Sequence, residues 1–126
     1  MIKIEHLAIW VSDLEKMKVF YETYLNATSG EKYVNSKKRF SSYFLSFSGG
    51  ARLELMKRED ITSINTESLG LAHIAISLGS EEKVDLLTER LRAHGIEIAG
   101  EPRVTGDGYY ESVIKDPEGN LIELTV

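Results

Sequence analysis

The chain has 126 residues, a formal net charge of −5 and no cysteine. Its length fits one domain with a single sizeable core. The missing cysteines exclude disulfides, thiolate metal sites and a cysteine nucleophile, and they favour a reducing cytoplasm. The acidic balance argues against a nucleic-acid partner. Because no apolar run approaches the roughly 20 residues that span a bilayer, and no signal-peptide pattern is present, we expect no membrane association.

The first half of the chain predicts the element order β-α-β-β-β. Residues 2–10 alternate between apolar and polar side chains, which indicates a strand with two different faces. Ser12, with Glu15 in the capping-box position, is expected to begin a helix that runs to about Asn26. Further strands are expected within the polar segment 28–40, at 40–47, and at 51–56 after a Ser-Gly-Gly turn.

The second half predicts the same order. A strand at about 71–78 is followed by a helix that begins at Gly79-Ser80 and that Gly95 is placed to end. The apolar face of this helix is expected to carry Val84, Leu87 and Leu91. Three further segments complete the unit: a strand or loop at 96–104, and strands at 109–115 and 120–126. We therefore expect a single α+β domain, 1–126, made of two βαβββ modules at about 1–57 and 70–126.

Two pairs of polar residues repeat with this architecture. His6 and His73 occupy matching places in the first strand of each module, 67 residues apart. Glu54 and Glu123 occupy matching places in the last strand, 69 residues apart, and each is flanked by two apolar residues. A repeat of this length corresponds to a whole supersecondary unit.

Period-two alternation assigns all four residues to one side of the predicted sheets. The apolar neighbours of Glu54 and Glu123 would lie under the helices, which leaves the two carboxylates and the two imidazoles on the opposite, concave face. A carboxylate among apolar residues is costly unless it is paired, hydrogen-bonded or bound to metal. Two imidazoles and two carboxylates form a mixed N/O set that suits Ni, Co, Fe, Mn or Zn. Taken singly, a histidine or glutamate on a strand is usually a solvated or locally satisfied side chain.

The paired modules, His6 with Glu54, and His73 with Glu123 resemble the vicinal oxygen chelate superfamily, as does the turn Asp116-Pro117-Glu118-Gly119-Asn120. This superfamily includes glyoxalase I, fosfomycin-resistance thiol transferases, extradiol dioxygenases and bleomycin-binding proteins. The resemblance covers essentially the whole chain. It implies a fold in which the two βαβββ modules form curved mixed sheets.

The complete set of four ligand-type residues resembles compact bacterial glyoxalase I (lactoylglutathione lyase) most closely. That resemblance implies His6, Glu54, His73 and Glu123 as ligands of an octahedral Ni or Co ion, with Zn as the other option. It also implies a small-molecule hemithioacetal substrate whose proton is taken by Glu54 or Glu123. A homodimer with shared active sites is implied as well. The alternatives are a metal-dependent thiol transferase of the fosfomycin-resistance type and a metal-free drug-sequestering protein.

Three further residues are candidates for substrate binding: Trp10, Arg103 and Tyr110. Glyoxalase I usually carries an arginine four residues after its first histidine, where it helps to hold a glutathione carboxylate, and this chain has Trp10 there. A core or interface aromatic is the other interpretation of Trp10. The basic run 37–39 is expected to be a charged, solvated loop.

Overall fold

Each half of the chain folds around its own sheet. The computed structural model describes residues 1–64 and 66–126, and it divides into two units, Met1–Ile64 and Asn65–Val126. The first unit contains β1 (His6–Trp10), α1 (Leu14–Leu25), β2 (Thr28–Ser29), β3 (Tyr33–Asn35), β4 (Phe40–Ser46) and β5 (Arg52–Arg58). The second contains β6 (Ile74–Ser77), α2 (Glu81–Ala93), β7 (Ile98–Val104), β8 (Tyr110–Lys115) and β9 (Leu121–Thr125).

Both sheets are mixed, and both place their first strand beside their last. In the first unit the strand order is β1-β5-β4-β2, with β3 also paired to β4. In the second unit the order is β6-β9-β8-β7. The pairs β1/β5 and β6/β9 are parallel, and the other pairs are antiparallel. The predicted α+β fold with mixed sheets is confirmed, and β3 is a short addition to the predicted order.

The start of α1 differs from the prediction by one residue. Asp13, and not Ser12, is the N-cap: its backbone is extended, and its Oδ1 accepts a hydrogen bond from Lys16 N at 3.0 Å. The predicted capping box is therefore wrong, because Glu15 accepts instead from the Tyr43 hydroxyl at 3.0 Å. Ser80 caps α2 as predicted, through a 3.2 Å bond from Lys83 N.

The core of each unit lies between its helix and one face of its sheet. The apolar residues that flank Glu54 and Glu123 are at most 4% exposed: Leu53, Leu55, Ile122 and Leu124. On α2, Leu87 is only half-buried, whereas Thr88 is fully buried and bonds to Val84 O at 2.6 Å and to Ser112 Oγ at 2.8 Å. The two bonds satisfy a hydroxyl that would otherwise be costly to bury.

Two strands begin later than expected, and the first of them, β1, begins only at His6. Strand β6 begins at Ile74, so His73 precedes the strand and is not part of it. The segment expected to be strand or loop is the strand β7, whose pairing with β8 shifts register between Gly100 and Arg103, where Pro102 lies. Within the described residues, neither helix is long and apolar enough to cross a membrane.

Candidate metal-binding pairs

The first unit brings His6 and Glu54 together. Parallel pairing sets Ala8 beside Glu54, and His6 lies two residues before Ala8, on the same face of the sheet. His6 Nε2 is 3.7 Å from Glu54 Oε1. The Glu54 side chain is 14% exposed and that of His6 is 38% exposed, so the carboxylate is the better shielded partner.

The second unit repeats this geometry. Ala75 pairs with Glu123, and His73 lies two residues before Ala75. His73 Nε2 is 3.2 Å from Glu123 Oε1. In both units the glutamate therefore pairs with the residue two positions after the histidine. The repeat preserves this side-chain arrangement as well as the order of the elements.

The chemistry of each pair fits a divalent first-row ion. Neighbouring ligands that each lie about 2.1 Å from one ion are roughly 3 Å apart, and the observed separations of 3.2 Å and 3.7 Å are close to this value. Among the described residues, no group of three or more His, Asp or Glu side chains is placed to hold a metal ion. Each pair by itself therefore offers one nitrogen and one oxygen donor.

In the first unit, neighbouring side chains support the histidine. Glu5 Oε2 contacts His6 Nδ1, and Glu5 Oε1 accepts from Arg52 Nε at 2.8 Å. The hydrogen bond to His6, followed by the bonds and charge of Arg52, lowers the pKa of Glu5. Phe44 stands edge-on to the His6 ring at 5.1 Å, and Arg52 lies 4.3 Å above Phe44. With Nδ1 engaged in this way, Nε2 faces Glu54.

In the second unit, the neighbouring groups act on the carboxylate instead. Val113 pairs with Glu123, so Glu111, two residues earlier in β8, lies on the same face of the sheet. Glu111 is only 6% exposed. Burial raises its pKa, and the charge of Glu123 and a hydrogen bond with it raise the pKa further. Arg103 Nη1 lies 3.8 Å from Glu111 Oε2 and donates to the Glu111 carbonyl oxygen at 3.1 Å.

Sequence reasoning missed both of these supporting groups. Glu5 directly precedes His6 in the sequence. Glu111 lies two residues before Val113, the partner of Glu123, so strand alternation puts Glu111 on the same face of the sheet as Glu123. Nothing in the sequence pattern indicated that Glu111 would be buried. It is a carboxyl group, and such groups are rarely buried without a partner.

The candidate substrate residues lie in three different settings. Trp10 is 41% exposed and packs edge-on against Phe40 at 6.1 Å, while Arg103 belongs to the Glu111 network. Tyr110 donates to Asp85 Oδ1 on α2 at 2.5 Å, a bond that raises the pKa of Tyr110 to about 12. This bond turns the Tyr110 side chain toward the helix, so the structure does not bring it beside His73 and Glu123.

Comparison with known proteins agrees with this architecture. A family model described as Glyoxalase/Bleomycin resistance protein/Dioxygenase superfamily matches residues 3–124. The chain belongs to this superfamily. The Bacillus subtilis protein YqjT, itself uncharacterized, is 27% identical over 131 residues, which cover 96% of each chain.

Solved structures of superfamily members share the fold. The trypanothione-dependent glyoxalase I of Leishmania major superposes with a TM-score of 0.81 at 26% identity, over 99% of this chain and 86% of that one. A variant of glyoxalase I from Zea mays gives a TM-score of 0.82 at 23% identity, over 98% of this chain. The match spans only 44% of the maize chain. The vicinal oxygen chelate fold expected from the sequence is thereby confirmed.

Proposed function

We propose that this superfamily member is a metal-dependent, glyoxalase-I-like lyase. In this proposal it converts the hemithioacetal of a 2-oxoaldehyde and a small thiol into an S-2-hydroxyacyl thioester. The observation that carries the proposal is the repeated His/Glu geometry, with Nε2 and Oε1 3.7 Å apart in one unit and 3.2 Å apart in the other. A protein that only sequesters a drug has no need of the same donor pair in both modules.

The metal ligands in this proposal are His6, Glu54, His73 and Glu123. Two imidazoles and two carboxylates suit Ni or Co, with Zn as the other option. A bound divalent ion would supply Lewis-acid stabilisation of negative charge on substrate oxygen. Glu5 would hold the His6 ring with Nε2 available, and Glu111 would hold the Glu123 carboxylate.

The residues of the chain would carry out the proton chemistry. The reaction moves one proton from the carbon that bears sulfur to the neighbouring carbonyl carbon and one from the hydroxyl oxygen to the former carbonyl oxygen, so it is an internal redox change that needs no external oxidant or reductant. A carboxylate, Glu54 or Glu123, removes that proton as a general base, and a carboxyl group returns it to the adjacent carbon. Arg103 and Trp10 are the proposed substrate contacts, since Arg103 supplies a cation and Trp10 a half-exposed ring.

The proposed assembly is a symmetric homodimer with two sites, in which the pair of one subunit's first unit meets the pair of its partner's second unit. Complementation tests this arrangement. His6→Ala and His73→Ala variants are unfolded and refolded together, and activity is expected to return, because a mixed dimer places both lesions in one site and leaves the other intact. A mixture as inactive as either parent, despite demonstrated subunit exchange, would show that each site is built from one chain.

The reaction itself is tested by metal analysis coupled to an isomerisation assay. Protein purified without added metal is analysed for Ni, Co and Zn. It is then assayed with methylglyoxal adducts of several low-molecular-weight thiols. Turnover of at least one adduct is expected. Failure with every adduct and each of the three metals, together with ready thiol addition to fosfomycin, would assign the protein to the thiol transferases instead.

A further inference from the structure

The arginines of the chain differ in how their guanidinium groups are paired. Of the six, four lie within ion-pair distance of a carboxylate, and Arg90 has an interaction partner of its own. The four ion pairs are Arg52 with Glu5, Arg58 with Asp60, Arg92 with Glu89 and Glu101, and Arg103 with Glu111. The remaining arginine is Arg39.

Arg39 has no carboxylate within ion-pair distance in the described part of the chain. Two acidic residues, Glu59 and Asp60, lie near it at the end of β5, but both are engaged elsewhere. Asp60 Oδ1 accepts a hydrogen bond from Arg58 Nε at 2.5 Å, and Glu59 Oε1 lies 3.9 Å from Lys57 Nζ. The positive charge of Arg39 is therefore left without a counter-charge on the protein.

The Arg39 side chain is also accessible from solvent. It is exposed in the turn between β3 and β4, as are Lys37 and Lys38 before it. The backbone of this turn is held by a hydrogen bond from Lys38 N to Asn35 Oδ1 at 3.2 Å and by one from Arg39 N to Ser36 O at 3.4 Å. A dissolved small molecule can thus reach the guanidinium group directly.

Exposure alone does not distinguish Arg39, because the side chains of the four ion-paired arginines are themselves 38–47% exposed. The difference is the carboxylate. A guanidinium group attacks an electrophile through a nitrogen lone pair, so it must first lose a proton. A carboxylate partner favours the charged form and occupies the N–H groups. In Arg92, for example, hydrogen bonds with Glu101 and Glu89 raise the pKa of the guanidinium group.

We propose that Arg39 is the site at which 2-oxoaldehydes modify this protein most rapidly. Two guanidine nitrogens form C–N bonds to the two carbonyl carbons, and each carbonyl oxygen takes up a proton and becomes a hydroxyl group. Loss of one water, with a hydrogen shift between the two carbons, then gives a hydroimidazolone without any oxidant or reductant. The reagent belongs to the compound class of the proposed function, but the modification does not require turnover.

The test is mass-spectrometric mapping of the full-length protein after exposure to limiting methylglyoxal. Thiol is omitted, so no hemithioacetal forms and the result is independent of the proposed lyase activity. A protease that does not cleave at arginine releases the peptides, and the adduct at each of the six arginines is followed over time. The initial rate at Arg39 is expected to be about fivefold or more above that at each ion-paired arginine, the size of effect that a surface ion pair supplies. Equal rates, or faster modification of any other arginine, would overturn the proposal.

A pair of double variants shows whether the missing carboxylate is the cause. Glu89→Gln/Glu101→Gln removes both acidic partners of Arg92 and is expected to raise the rate at Arg92 about fivefold while Arg39 is unchanged. Glu81→Gln/Glu82→Gln removes two exposed charges from the first turn of the same helix, and it should leave Arg92 unchanged. An unchanged rate at Arg92 in the first variant would also overturn the proposal. Amide spectra verify that both variants are folded.

Discussion

The two modules keep the same backbone register but support different members of their His/Glu pairs. In the first unit, Glu5 and Arg52 hold the histidine ring through its Nδ1 atom. In the second unit, Ala72 stands at the position that corresponds to Glu5, and the buried Glu111 acts on the carboxylate of Glu123. A repeat can therefore preserve where donor atoms lie while it changes which donor is held in place. The comparison predicts that substitutions at matched positions will have different consequences.

The largest effect is expected from the histidines themselves. His6→Ala and His73→Ala should each reduce affinity for Ni or Co about 100-fold or more, because the loss of a ligand exceeds the effect of losing a supporting residue. Elemental analysis and competition with a chelator measure this. His94→Ala is the matched control, since this third histidine caps α2 and its Nδ1 lies 2.7 Å from Arg90 O. Unchanged occupancy in both variants would exclude a site that uses both modules.

Removal of the carboxylate from the second pair tests the proton chemistry. Glu123→Gln preserves volume but cannot act as a base, so kcat should fall by about 100-fold or more. The assay is hemithioacetal isomerisation with metal supplied. Glu89→Gln, an exposed position on α2, is the control for loss of one negative charge. Near-normal kcat in Glu123→Gln would assign the base to Glu54 instead.

Substitution of the two supporting glutamates sharpens the comparison. Glu5→Ala should weaken metal binding about 10- to 100-fold, and Glu111→Leu should do so to a similar extent, through different partners. The separate effects appear in ¹⁵N NMR of the imidazoles: Glu5→Ala should change the proton distribution between the two His6 nitrogens and leave the His73 ring unchanged. Equal changes at both rings would contradict the difference between the modules.

The pH dependence of stability has a predictable sign at Glu111. The pKa of Glu111 is raised in the folded state, so the protonated carboxyl group stabilises the fold. This stabilisation is fully present below pH 4.5, the ordinary pKa of a glutamate, and is lost as the pH rises through the folded-state pKa. Glu111→Gln removes this titration. In metal-free protein, urea unfolding at pH 4, 5.5 and 7 should therefore show the variant gaining stability relative to the wild type as pH rises. A constant difference across the three pH values would contradict the raised pKa.

The smallest effect concerns the helix caps, where the two modules are alike. Asp13→Ala and Ser80→Ala should each lower the free energy of unfolding by about 1 kcal/mol, because each leaves a helical N–H without its acceptor. Ser12→Ala should cost less than Asp13→Ala. Urea unfolding of the three variants measures this, and a larger loss at Ser12 would place the cap where the sequence pattern had suggested.

Some site residues could have been placed better from the sequence. Tyr110 shares its parity in β8 with Ser112 and Ile114, both fully buried, so alternation alone assigns it to the helix side of the sheet. On α2, Leu87 was expected on the apolar face and is half-buried, whereas the polar Thr88 is fully buried because its hydroxyl bonds to Val84 O and Ser112 Oγ.

The sequence by itself indicated the two modules, the helix-bearing faces and, for each of the two sheets, the side on which its own His/Glu pair lies. These features follow from local periodicity, which each strand and helix carries in its own residues. Only the tertiary structure decided the neighbours of those residues. Glu5 and Arg52 are 47 positions apart and meet because β1 lies beside β5, and Glu111 is buried because β8 lies between β7 and β9. Strand order sets such contacts, and no short stretch of sequence contains it.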